Sequence, residues 1–305
     1  MLEKELKSRV LVSIAISPVI LLVALPNINA PFYIGFVYIF FILLTSIILF
    51  EVFRMFESKY FYIPKFKKML FVVFSIVSII VLSSTSLIST SSGNFTIDLG
   101  SVFIVFLSTF VVIVFINLVI SSINTSKHNY LIVDSIFSTL SLYIVISLGS
   151  MLSLKLIDIE NNTFFLAFSM GVGWFSEAGG LIIGRLIGRV KLSFLASPNK
   201  TLEGTIGMFV FGIAGGLIFK LITELIGYQS HIFIKSYWEV VVISVLVVVF
   251  CIFGDIIESL IKRFFDYKDS SNILQPLGGV FDVFDGVMFA SFGVMIYYFA
   301  FVNVI

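Results

Sequence analysis

The chain has 305 residues, of which 59% are hydrophobic and only 12% charged, and its formal net charge is +1. That charged share is roughly half the average for soluble proteins, and a soluble core of this size could not hide so much apolar surface. The near-neutral balance also excludes a basic surface for nucleic acid. Cys251 is the single cysteine and lies in an apolar run, so an internal disulfide is excluded and a thiolate metal cluster is not expected. His128 and His231 stand far from the acidic motifs described below, which argues against zinc or histidine-base chemistry.

Apolar runs of about 20 residues predict transmembrane helices. In chain order they fall near 10–25, 31–53, 69–88, 99–121, 131–149, 164–183, 204–223, 238–257 and 286–305, which makes an all-α bundle of nine spans. The first is the weakest, interrupted by Pro18 and ended by Pro26. No cleavable signal pattern precedes it, so a retained anchor is expected. Basic residues gather in alternate connections: Lys4, Lys7 and Arg9 before the first span, Arg54 to Lys68 after the second, and Lys127 after the fourth. Arg185 to Lys200 follow the sixth, and Lys262, Arg263 and Lys268 follow the eighth. The positive-inside rule then places the amino terminus in the cytoplasm and the carboxyl terminus outside.

The two halves differ. Residues 1–150 are rich in Phe, Ile, Val and Ser with scarcely any charge inside a span, and read as membrane scaffold. Residues 171–290 gather Gly, acids and bases, and 151–305 read as the catalytic region. Within it, Asp255, Glu258, Ser259 and Lys262 fall at i, i+3, i+4 and i+7, a single polar stripe on a helix. Acids in a bilayer cost on the order of 2.5–3.5 kcal/mol each at its centre, so the stripe asks for a reason. The plain alternative is a helix end emerging into water with an internal ion pair.

Next, Lys268-Asp269 leads to Gly278-Gly279 and then to Asp282 and Asp285, which share a face at i, i+3. Paired glycines before a helix let backbone N–H groups approach an anion. Hard oxygen ligands without His or Cys indicate Mg²⁺, which takes one or two carboxylates and fills its other positions with water and phosphate. Asp255 and Asp282, from neighbouring helix ends, are the expected pair; the plain alternative is that Asp282 and Asp285 simply cap the last span. Upstream, Gly180, Gly184 and Gly188 recur every four residues, a spacing for close helix packing. Arg185, Arg189 and Lys191 accompany them. Ser197-Pro198-Asn199-Lys200-Thr201-Leu202-Glu203-Gly204 follows, with Ser197 as the expected helix cap and Lys200 and Thr201 facing a phosphate.

These segments, Gly184 to Leu192, Ser197 to Gly204 and Gly254 to Asp285, together resemble the CDP-diacylglycerol synthase (phosphatidate cytidylyltransferase) family, over roughly residues 174–290. The resemblance implies transfer of CMP from CTP to phosphatidic acid, giving CDP-diacylglycerol and pyrophosphate. It also implies an Mg²⁺-dependent, often dimeric enzyme of the cell's inner membrane, with its site open to the cytoplasm and inner leaflet. By motif position, Asp255 and Asp282 are the expected metal ligands, supported by Asp285 and Glu258; a second, monovalent cation is left open. Lys200 and Lys262 join the two aspartates as catalytic residues. Ser197, Thr201, Arg185, Arg189, Arg263, Lys268, Asp269, Gly278 and Gly279 complete the expected substrate-binding set. The sequence departs from the family pattern at Leu277, Val283 and Glu177, which stand where histidine, arginine and aspartate are usual, and at Ser271 and Asn272. A related CTP-dependent polyprenol kinase, an archaeol-type cytidylyltransferase, and a non-catalytic lipid- or nucleotide-binding homologue or transporter are the alternatives. The topology predicts that a reporter fused after Ile305 reads as external and one within 59–68 as cytoplasmic; a cytoplasmic carboxyl terminus contradicts it.

Overall fold

The computed structural model describes residues 17–25, 28–59, 68–69, 72–73, 75–80, 130–161, 163–192, 200–226 and 236–302. These residues are almost wholly helical. The long helices are α1 (Pro31–Lys59), α2 (Tyr130–Asn161), α3 (Phe165–Ile187), α4 (Leu202–Leu225), α5 (Tyr237–Phe264) and α6 (Val280–Tyr297), and a π-helical turn, Tyr298–Val302, extends the last. All six are long and apolar enough to cross a membrane. Of the other three expected spans, the first is helical over 17–24, the third is helical where described between 68 and 80, and 99–121 lies outside the described residues.

The helices overrun the apolar runs that predicted them. α2 continues twelve residues past the expected 149, and α6 begins at Val280 rather than 286. The reason is at the ends, where polar side chains satisfy backbone groups that hydropathy does not register. Asp158, fully buried, accepts the Phe165 and Leu166 N–H groups at 2.7 and 2.8 Å and the Thr163 hydroxyl at 2.6 Å, so it caps α3 from within α2. Thr201 Oγ1 accepts the Gly204 N–H and caps α4. Ser236 accepts the Trp238 N–H, and Glu239 reaches back to the Ser236 N–H, at the start of α5. The expected cap of α4, Ser197, lies outside the described residues, and Thr201 holds that role.

Two glycine contacts set how closely the helices approach. A Cβ at Gly179 would lie 2.3 Å from the Phe211 side chain and 2.8 Å from the Gly207 carbonyl, and one at Gly207 would lie 2.6 Å from Ile183. With Gly180, Gly184 and Gly204 in the same seam, α3 and α4 pack nearly backbone to backbone. A Cβ at Gly254 would lie 2.6 Å from the Asp285 carbonyl, and one at Gly286 would lie 2.6 Å from both Cys251 Sγ and Glu177 Oε1. That second seam brings α5 onto α6. Phe165, Phe168, Phe281, Val287 and Tyr298 fill the interior, while Leu186, Val210 and Phe253 project outward, a face suited to hydrocarbon.

Replacing Gly207 by leucine should force α3 and α4 apart and cost about 1–3 kcal/mol. Thermal unfolding in detergent checks this: a clear fall in Tm is expected, and an unchanged Tm contradicts the close seam.

Candidate active site

A cavity of about 570 Å³ opens at one end of the bundle, where the carboxyl ends of α3 and α5 meet the amino ends of α4 and α6. α3 contributes Glu177, Gly184 and Arg185; the start of α4 contributes Lys200, Thr201 and Gly204; α5 contributes Asp255; α6 contributes Asp282 and Asp285. The Thr-x-Glu-Gly portion of the upstream motif builds this wall. Glu203 accepts the N–H groups of Arg189 and Val190 at 3.0–3.2 Å, closing the turn after α3. Leu192 N–H donates to the Lys200 carbonyl and Leu202 N–H to the Val190 carbonyl, which holds Lys200 at the rim. Gly204 leaves room for α3 to pass.

Three carboxylates, Asp255, Glu258 and Asp285, each offer one oxygen within 4.8 Å of the others, an arrangement able to hold a metal ion. At that separation two unscreened carboxylates repel by about 3.5 kcal/mol with an effective dielectric of 20. The protein answers with two ammonium groups. Lys200 Nζ lies 2.5 Å from Asp255, and Lys262 Nζ lies 2.7 Å from both Glu258 and Asp282. Asp285 has no ion-pair partner among the described residues, and its Oδ1 accepts the Gly286 N–H. Glu177 adds another carboxylate on the cavity wall, accepting the Cys251 thiol at 3.2 Å. Five acids against Lys200, Lys262 and Arg185 leave an excess of acidic groups that suits a divalent cation with oxygen ligands.

Asp282 has other work. Its Oδ1 takes Lys262, and its Oδ2 takes the Ser270 N–H and hydroxyl, both at 2.8 Å, and the Gly279 N–H at 2.6 Å. Four donors thus converge on this one carboxylate, three of them on Oδ2. The sequence pattern pairs Asp255 with Asp282; the folded chain groups Asp255 with Glu258 and Asp285 and ties Asp282, still on the cavity wall, to the loop before α6. The expected phosphate nest at Gly278-Gly279 is similarly filled from within. The Gly279 N–H goes to Asp282, and the next two, on Val280 and Phe281, go to Glu51 at 2.9 Å. Gly278 sits at φ +100°, where a side chain is strained, and its place would be only 2.5 Å from Asp282 Oδ2.

Among the other expected residues, Arg185 is exposed at the cavity rim, and Thr201 lines the wall while capping α4. Arg189, Arg263, Lys268 and Asp269 are exposed and do not line the cavity; Arg263 Nη1 donates to the Tyr267 carbonyl. Ser197 lies outside the described residues. Val283 is half-buried against the apolar core, and its carbonyl accepts the Trp174 indole N–H at 3.5 Å. Two residues at the site were not among the expected site residues, although Glu177 stood out as a departure from the family pattern. Glu177 carried a signal, as the single acid within α3. Glu51 carried a weaker one, an acid at the end of an apolar run.

The sequence model of the Cytidylyltransferase family matches residues 7–301, so the chain belongs to that family. It is 33% identical over 165 residues to a protein of Staphylococcus saprophyticus named phosphatidate cytidylyltransferase, covering 54% of this chain and 59% of that one. The Bacillus subtilis protein of the same name is 34% identical over 125 residues, 41% of this chain and 44% of its own. A Staphylococcus aureus counterpart is 30% identical over 172 residues, 56% of this chain and 62% of its own. The matched stretch thus spans about half the length of these relatives. Family membership thus comes together with six helices, among the described residues, that are long and apolar enough to cross a membrane.

Proposed function

We propose that the chain transfers CMP from CTP to phosphatidic acid, releasing pyrophosphate and giving CDP-diacylglycerol. The observation that carries this reading is the cavity itself. It gathers carboxylates, a lysine and an arginine at one end of the apolar bundle, beside the outward apolar face of α3 that bears Leu181 and Leu186. A water-soluble triphosphate and a lipid phosphate can meet only at such a boundary. In the reaction a lipid phosphate oxygen bonds to the α-phosphorus of CTP, and the bond from that phosphorus to the bridging oxygen breaks, so pyrophosphate leaves with the electron pair. The nucleophile is already anionic and needs no strong base, which suits a site without histidine.

Asp255, Glu258 and Asp285 are the proposed Mg²⁺ ligands, and Asp282 with Lys262 is the latch beside them. The ion, when bound, supplies neutralisation of the triphosphate charge. Lys200 and Arg185 stand at the rim to engage phosphate oxygens, Lys200 exchanging its Asp255 contact for them. Thr201 orients the wall. Residues 151–305 are thus the proposed catalytic region, and 1–150 the membrane scaffold that braces it. In this reading the site faces the cytoplasm and inner leaflet of the cell membrane, and the assembly is a homodimer, as the family resemblance implies.

Purified protein, Mg²⁺, phosphatidic acid and CTP labelled at the α-phosphorus test the proposal. Label should enter the lipid with equimolar pyrophosphate, and Asp255→Asn and Asp285→Asn should each lower the rate by roughly 100-fold, about 2.7 kcal/mol. Release of labelled CDP with no label in lipid would mark a kinase and contradict the reading.

A further inference from the structure

Glu51 lies in α1, in the half of the chain that composition marks as scaffold, and it is wholly buried. A buried carboxylate in an apolar helix persists only where donors meet it. Four do. Oε1 accepts the Ser271 hydroxyl at 2.6 Å and the Val280 N–H at 2.9 Å; Oε2 accepts the Ser270 hydroxyl at 3.0 Å and the Phe281 N–H at 2.9 Å. Glu51 thereby supplies the anion at the α6 amino end and holds the preceding loop. A Cβ at Gly279 would lie 2.1 Å from Ser270 Oγ and 2.6 Å from Glu51 Oε1, so a glycine there is what lets the carboxylate dock. Phe56, a little further along α1, packs on Phe265 with ring centroids 4.4 Å apart and planes tilted by 50°, a second contact between α1 and the segment joining α5 to α6.

The contact continues into the site. Ser270 Oγ lies 3.0 Å from Glu51 and 2.8 Å from Asp282, one hydroxyl shared between two carboxylates. Asp282 then holds Lys262, and Lys262 holds Glu258 of the carboxylate group. We infer that Glu51 is a positioning residue for that group, acting through Ser270, Asp282 and Lys262. The inference rests on the reading of Asp255, Glu258 and Asp285 as a metal seat. Each Glu51 oxygen faces two donors, so an amide in its place must turn its NH₂ toward one pair, whichever way it is flipped. The loop then loosens, and Lys262 with it.

Full-length protein in detergent, titrated with Mn²⁺ and followed by electron paramagnetic resonance, gives a readout independent of turnover. Glu51→Gln should weaken Mn²⁺ binding by about tenfold, as loss of a supporting contact does elsewhere. Asp158→Asn is the control. It removes an equally buried cap of the same chemistry from the start of α3, on α2 roughly 22 Å along the helix from Tyr143, whose hydroxyl touches the Asp285 carbonyl. It should lower Tm similarly and leave Mn²⁺ binding unchanged. Wild-type Mn²⁺ binding in Glu51→Gln, or an equal weakening in Asp158→Asn, overturns the inference. If Glu51→Gln does not fold, Ser270→Ala carries the test: weakened binding supports the relay, and wild-type binding overturns it. An unaltered chain that binds Mn²⁺ but releases no pyrophosphate would sink the enzyme reading alone, and Glu51 would still be judged by Mn²⁺. An unaltered chain that binds no Mn²⁺ overturns both.

Discussion

Carboxylates gathered at one end of an apolar bundle repel each other and lose hydration, and the site depends on how that cost is met. Three means are visible. Lys200 and Lys262 each sit within 2.7 Å of acids on a neighbouring helix. Backbone N–H groups at the start of α6 neutralise Asp282 and Glu51. What remains, around Asp255, Glu258 and Asp285, is a group of acids beside an open cavity that is able to hold a metal ion. Removing a lysine from such a setting leaves buried acids unpaired, which is why the cations are structural as well as chemical.

Backbone proximity makes the arrangement reachable. Side chains as short as aspartate meet across two helices only if the helices nearly touch, and Gly254 and Gly286 remove the Cβ atoms that would keep α5 from α6. The same device joins α3 to α4 through Gly179, Gly180, Gly204 and Gly207, which places Glu177 and Lys200 on the wall of one cavity. The glycine-rich stretches are therefore part of the site's construction, although no glycine in them contributes a functional group.

Much of this was legible in the sequence because helical periodicity is local. The stripe from Asp255 to Lys262 and the four-residue glycine repeat both lie in helices that put them to use. The division of labour between Asp282 and Asp285 was not legible. Hydropathy begins the last span at 286, so both acids read alike, as a pair at its amino end. The helix begins at Val280, so Asp282 is its third residue and reaches back to the Gly279 N–H, while Asp285 is a turn further on and faces Asp255. Glu51 was hidden for a different reason. Its partners are 219 to 230 residues away in sequence, and no local pattern predicts which buried helix end an acid will meet.

The central claim is that the metal seat is Asp255, Glu258 and Asp285, with Asp282 serving as a latch. Crystals of the protein grown with Mn²⁺ and measured for anomalous scattering address it most directly. The account predicts a peak about 2.1 Å from carboxylate oxygens of the three seat residues, with Asp282 still bound to Lys262 and Ser270. A peak coordinated by Asp282, with Asp285 turned away from it, would contradict the account.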